Sequence, residues 1–527
     1  MRRDPAAWAL AGVAVGLWAL LIAAPLGGLY LWPNDPPITS AAAAASLSAG
    51  VIVRSFVLAA ALAAISVVLG WMPARLLGTA RRGRGVLMVL LLAPLMVPRY
   101  LLLYAWDLLR SPTAPLGQFL SARPAWSRAA AAVTSSMVLV LWCWPLAALL
   151  TAQGWRAMGR DVHQSARLEA GAARRLTDVT LPLLAPAILL AFGVCFVLLL
   201  GEFATFHLAG IETIGTQLAV LYEETGSVGH VARSAWPAGA AALVVAVALW
   251  RRSADWSAAP PIAPPDPPRR AGAYRLVLAA LLMLTIGLPV ILLATAVRDA
   301  GGFANFYDLH REQLGTSALA AAAGGVAAVA MAAGALVLEG LGRGGRALTW
   351  LMHPTILLAA LLPGSLIGAS LVGLQAALRA GVGFQEGWWS VSAGLAARLG
   401  GIALILLRLG RSVRSRHLAE LAAADGAGWS RTWWSVHLPT FWQIPAAALL
   451  LVTMLGLTEL SATTVLLPAG VPNFAQGLLN QMHYARDQQV IATCLVLAGG
   501  YAAMLLAGGA GWAVTRAARR ALGSRMR

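Results

Sequence analysis

The sequence contains no lysine, so all 39 of its basic residues are arginine. That absence excludes a Walker A phosphate loop, which ends in Gly-Lys-Ser or Gly-Lys-Thr. Charge of either sign is scarce. Only 11% of the 527 residues are charged and 59% are hydrophobic, whereas a soluble chain carries roughly 25% charged residues. The bulk therefore belongs in lipid. Cysteine is nearly absent. Cys143, Cys195 and Cys494 lie far apart inside apolar runs, which excludes a metal or redox motif and leaves small buried hydrophobes. None of the eight histidines forms a His-x-x-His or Glu-x-x-His pair, and the tyrosines are scattered. We expect no permanent metal site and no cofactor. No Ser/His/Asp arrangement or nucleotide loop points to an enzyme.

Apolar runs are what the chain does have. A spanning helix needs about 20 mostly apolar residues. Twelve candidates are centred near Leu17, Leu62, Leu92, Leu139, Phe192, Val245, Leu282, Val329, Leu358, Leu404, Leu451 and Leu497. The first run is too long for a signal peptide and reads as a retained helix. The net charge of +18 could suggest a nucleic-acid partner, but the arginines fall mainly between the apolar runs. With the N-terminus placed inside, 28 of the 39 arginines occupy inside segments. The positive-inside rule thus orients an all-α polytopic membrane protein with both termini cytoplasmic and no nucleic acid bound.

The stretch "RRSADWSAAPPIAPPDPPRR", 251–270, is Pro-rich and cannot span lipid. It reads as a cytoplasmic linker at 251–272 between two six-helix halves, 1–250 and 273–527. A repeat is visible in the spacing of prolines and glutamates. Pro182 precedes Glu202 by 20 residues, and Pro439 precedes Glu459 by 20. Both prolines open an apolar run and both glutamates close one, as an internal duplication explains.

One polar stretch interrupts each half. "ELAAADGAGWSRTWWSVHLP", 420–439, starts Ala-rich and helical. Gly426, with Gly428 close by, permits a sharp turn that residues with a Cβ resist. Trp429, Trp433 and Trp434 give a partly apolar face, and Leu438-Pro439 starts the next apolar helix. Such a helix pair, too polar for lipid, suits docking of a soluble partner.

This stretch resembles the EAA loop of ABC importer permeases: Glu-Ala-Ala, three residues, Gly, nine residues, an aliphatic residue, any residue, Leu-Pro. Glu420, Leu421 and Ala422 fill the triplet, with only Leu421 departing. Gly426, Val436, Leu438 and Pro439 fill the remaining positions. A second, degenerate copy stands at "SARLEAGAARRLTDVTLP", 165–182. Gly171, Val179, Leu181 and Pro182 are present, but Gly171 stands eleven residues before the proline rather than thirteen. Ser165 and Ala166 then fall where the glutamate and the first alanine belong. The resemblance implies coupling loops at about 152–182 and 409–439 that seat on two copies of a cytoplasmic ABC ATPase. It implies a periplasmic substrate-binding protein as a further partner and the bacterial inner membrane as location. Two fused halves resemble ferric-iron importer permeases most closely, with thiamine permeases next. Amphipathic basic helices lying on the inner leaflet remain an alternative for both loops.

Charged residues inside spans mark transport paths or structural contacts. Arg398 lies near the start of the tenth span, within its apolar run, and Arg99 follows Pro98 in the third. Glu202 and Glu459 stand about 30 Å of helix beyond their prolines, near the outer surface. These four are the candidate pathway or gate residues. Arg398 could equally hold a carbonyl or carboxylate, Arg99 could snorkel, and the glutamates could be solvated helix ends. An ion-coupled secondary transporter is the competing class.

Overall fold

The computed structural model describes residues 4–29, 47–258, 265–268, 270–378, 387–410, 420–422, 424–483 and 487–525. Among these, every regular element is a helix. Arg2, Arg3, Arg269, Arg411, Arg414, Arg416 and Arg527 lie outside the described residues, as do parts of the expected linker and of the 409–439 loop.

Among the described residues eight helical segments are long and apolar enough to cross a membrane. They are Pro5–Gly28, Ala49–Thr79, Pro124–Ala157, Ala172–Leu200, Ala271–Thr295, Phe306–Leu338, Trp389–Gly410 and Gln488–Gly511. Three further apolar segments are bent pairs: Arg84–Met96 with Arg99–Arg110 at 73°, Val228–Ser234 with Trp236–Ser253 at 65°, and Arg343–Leu361 with Gly364–Ala377 at 118°. Proline explains two of the bends. Pro98 and Pro363 each cap the second helix of a pair, and the residue before a proline is pushed out of the helical region. Val97 and Leu362 accordingly sit at ψ 125° and 153°. The expected eleventh run holds the 15-residue helix Gln443–Leu457, preceded by the short helix Leu438–Phe441 with Trp442 between them. Large apolar side chains face outward along the spans, among them Val68, Leu189, Val244 and Leu276. A bilayer covers such a surface; water does not. The chain is a helical, multi-pass membrane protein.

Among the described residues proline also sets four widened turns. Ala19–Ala23, Arg175–Thr180, Met283–Gly287 and Trp433–His437 are π-helical. Each runs directly into an X-Pro pair: Ala24-Pro25, Leu181-Pro182, Leu288-Pro289 and Leu438-Pro439. In each case the residue before the proline donates its N–H five residues back: to Ala19, Leu176, Met283 and Trp433 respectively. A proline ring clashes with the carbonyl four residues earlier and offers no N–H to it. Widening the turn by one residue relieves both problems.

The chain divides into two compact units that interleave along the sequence. One comprises Met1–Ala60, Phe196–Pro260 and His310–Asn480; the other comprises Ala61–Cys195, Pro261–Leu309 and Gln481–Arg527. In the first unit the helix Trp389–Gly410 is the centre, packed by Arg343–Leu361, Gln443–Leu457 and Trp236–Ala258. It is buried on nearly every side, as an all-round apolar helix must be. In the second unit Pro124–Ala157 packs against Arg84–Met96 and Arg99–Asp107. Trp144 and Trp155 are fully buried there, and Trp144 Nε1 donates to Thr285 Oγ1 at 3.1 Å.

Candidate functional site

Glu420, Leu421 and Ala422 are helical, and the helix stops at Gly426. Ala427 N donates to the Ala422 carbonyl at 2.9 Å, and Gly426 takes φ +75°. This is the six-to-one closure of a Schellman cap, whose glycine position requires the left-handed conformation. Next come Trp429–Thr432, the π turn Trp433–His437 and the helix Leu438–Phe441. Val436 and Leu438 are half-buried, and His437 is buried. Leu421 and Trp434 are exposed apolar side chains, 61% and 67% accessible. The loop thus offers apolar knobs away from its own packing.

The 152–182 stretch is built differently. Its helix Arg160–Glu169 buries His163 and Ala166 and exposes Ser165 and Leu168. It ends at Ala170, which is extended at φ −138°. Gly171 follows at φ −63° and ψ 167°, a conformation open to any residue. A three-residue helical turn, the π turn Arg175–Thr180 and Leu181-Pro182 complete it. Leu181 and Pro182 are exposed. Burial holds the His163 imidazole below its ordinary value, and Arg75, Arg175 and Arg167 push the same way.

Of the four intramembrane candidates, the structure joins two. Arg398 Nε meets Glu459 Oε1 at 3.2 Å, with both side chains almost buried. Arg398 Nη1 also donates to the Leu362 carbonyl. That carbonyl belongs to the residue before Pro363, at the 118° bend, so the arginine satisfies backbone where the helix breaks. Arg398 stands mid-helix in Trp389–Gly410 rather than near its start. Glu459 further accepts from Ala462 N at 3.1 Å and, through Oε2, from Thr463 N and Thr463 Oγ1 at 3.2 Å.

Glu202 makes a parallel set of bonds. Its Oε1 accepts from Thr205 N at 3.0 Å and Thr205 Oγ1 at 2.7 Å. It is 2% accessible, so neither glutamate is a solvated helix end. Each carboxylate instead caps the short helix that follows it. Gly201 packs against Pro363; a Cβ there would lie 3.2 Å from the proline Cα. Arg99 lies in the other unit, its guanidinium 4.5 Å from the centre of the Trp142 ring, a cation–π distance.

Two carboxylates that sequence reading passed over hold the loops. Asp4 accepts from Ser430 N at 2.9 Å and Ser430 Oγ at 3.1 Å. Asp266 pairs with Arg81 at 2.9 Å and Arg160 at 3.3 Å and accepts from Gln164 at 3.2 Å. The Ser430 N–H bond, foremost, keeps the Asp4 carboxyl below its usual range. For Asp266 the Gln164 hydrogen bond does so first, with Arg160 and Arg81 adding to it. Only the isolated "D" in the Pro-rich segment and the "DP" before the first run could have signalled them.

Among the described residues no group of three or more His, Cys, Asp or Glu side chains gathers as a metal site. No family model, no curated protein and no solved structure matches the chain.

Proposed function

We propose that the chain is the membrane permease of a binding-protein-dependent importer driven by separate ATP-hydrolysing subunits. The observation that carries this reading is the shared end of the two polar loops. Each closes in a π turn and a Leu-Pro pair that opens an apolar helix, 257 residues apart, and the second also has its left-handed glycine in register. The Leu-Pro ends and the glycine belong to the EAA pattern, which the resemblance assigns to ATPase docking. Two ATPase copies bind at the loops, and a binding protein delivers solute from the other side. The location is the bacterial inner membrane with both termini cytoplasmic.

The same reading holds twelve spans in two homologous halves, counting each bent pair once and extending Gln443–Leu457 by the turns before it. Paired details support the duplication. Ile214 N donates to Ser55 Oγ at 3.0 Å, and Phe474 N donates to Ser317 Oγ at 2.9 Å. Glu202 and Glu459 cap the helices after them alike. The π turns before Pro25 and Pro289 form a second pair beside those before Pro182 and Pro439. Arg398, Glu459 and Glu202 in one unit, and separately Arg99 in the other, are the candidate pathway or gate residues, with the Arg398–Glu459 pair as the contact that opening must break or carry along.

The resemblance favours ferric iron as cargo, with thiamine or another small solute as the alternative. A Glu459 held in an ion pair with Arg398 suits this better than an ion-coupled carrier, which needs a carboxylate free to load. The test is purification of the chain with an ATPase and a binding protein from the same cell, followed by ATPase assays in liposomes. Stimulation by the binding protein loaded with ferric iron, and not by thiamine, is expected. ATP-independent uptake would overturn the reading.

A further inference from the structure

Asp4 serves two helices at once. Its Oδ1 accepts from Ala6 N at 3.1 Å and caps Pro5–Trp18. Its Oδ2 holds Ser430 N and Oγ, at the first turn of Trp429–Thr432. One carboxylate thereby ties the start of a spanning helix to a loop 426 residues away. In the other unit Asp266 also holds a polar loop, with both oxygens turned to residues earlier in the chain. It stands just ahead of the helix Ala271–Leu282. Its Oδ1 meets Arg81 and Arg160 and its Oδ2 meets Gln164. Arg160 and Gln164 are four residues apart, on one face of the helix Arg160–Glu169. In both cases the aspartate precedes the first span of one sequence half and grips the polar loop of the other.

A loop fixed only by its two chain ends swings about its turn. A third attachment removes that freedom, and charge-assisted bonds fix direction as well as distance. Exposed ion pairs add little to folding stability, so the gain from these contacts is orientation. We propose that Asp4 and Asp266 are positioning residues, struts that make each loop move as one body with the spanning helix behind the aspartate. Motion imposed on a loop then reaches that helix instead of being lost at the hinge. The proposal rests on the permease reading above, and it adds two residues outside the EAA pattern to the coupling apparatus.

The test uses the full complex in liposomes, with ferric iron on the binding protein, or thiamine if that is the cargo found. Asp4→Ala, Asp266→Ala, Asp4→Glu and Asp266→Glu are compared with the parent chain, each confirmed as folded by its elution as an intact complex. Two readouts are taken. Trypsin cleavage after Arg431 should accelerate in Asp4→Ala alone, and cleavage after Arg160 in Asp266→Ala alone. ATP hydrolysed per solute transported should rise about fivefold in either alanine variant, the low end of a coupling free energy between sites. The glutamate variants should recover most of both effects. A merely structural contact would change yield and leave the ratio alone. If the parent transports with ATP and both alanine variants keep its cleavage pattern or its ratio, the struts are wrong and the permease reading stands. If the parent shows no ATP-driven transport, both fall.

Discussion

The two polar loops finish alike and start differently. Both end in a π turn and Leu-Pro, the turn widening where the proline offers no N–H to the carbonyl four residues earlier. Upstream they part. In the 409–439 loop Gly426 turns the chain at φ +75°; in the 152–182 loop Gly171 is extended at φ −63°, and nothing lies near its missing Cβ. A glycine in the pattern is therefore a conformational requirement in one loop and an ordinary residue in the other. The missing two residues before Pro182 explain the difference. With a shorter segment to fit, the first loop ends its helix at an extended Ala170 instead of a Schellman cap.

The sharpest contrast comes from placing proline at each glycine. Gly426→Pro needs φ near −65° where the chain holds +75°, and should cost about 3 kcal/mol or more of local stability. Gly171→Pro meets a compatible φ after an extended Ala170, and should be neutral or stabilising by about 0.5 kcal/mol. Thermal unfolding of the purified chain in detergent reads both; equal losses would erase the distinction.

Alanine gives a milder version. Gly426→Ala should cost about 1–2 kcal/mol for the left-handed conformation, and Gly171→Ala should cost nothing measurable by the same assay. Exposed leucines test docking instead of folding. Leu421→Ala and Leu168→Ala should leave unfolding within about 0.5 kcal/mol of the parent. Each should weaken ATPase-subunit binding by about 1 kcal/mol in a titration, Leu421 the more if the second loop is the better seat.

The smallest effect is pH. The folded value of His163 is below its ordinary 6.5, chiefly through burial, so folding favours the neutral ring. Its contribution is complete above 6.5 and is lost as the pH falls through the lowered folded value. Hydrogen exchange over 160–169, corrected for intrinsic rate, should speed up below pH 6.5 and lose that dependence in His163→Gln. A dependence that survives the substitution would assign it elsewhere.

What the sequence revealed was what proline, glycine and hydropathy encode locally. The apolar runs, the Pro182–Glu202 and Pro439–Glu459 spacing and the turn at Gly426 were legible for that reason. The bends at Pro98 and Pro363 were not read as bends, because a hydropathy count does not distinguish a straight span from a broken one. Arg398 and Glu459 were each singled out, but their contact joins residues 61 apart in sequence and leaves no periodic trace. Asp4 and Asp266 were missed for the same reason: an aspartate beside a proline reads as loop chemistry until its distant partner is known. The grouping of segments into two units was not legible either, since each unit collects stretches far apart in the chain.

The central claim is that the 409–439 loop transmits ATP hydrolysis to the membrane helices through the turn at Gly426. Uptake of ferric iron and ATP hydrolysis, measured together in liposomes holding the complex with the parent chain, Gly171→Pro or Gly426→Pro, tests it most directly. The account predicts uptake by the first two, and continued hydrolysis without uptake by Gly426→Pro. Uptake by Gly426→Pro at the parental rate would contradict it.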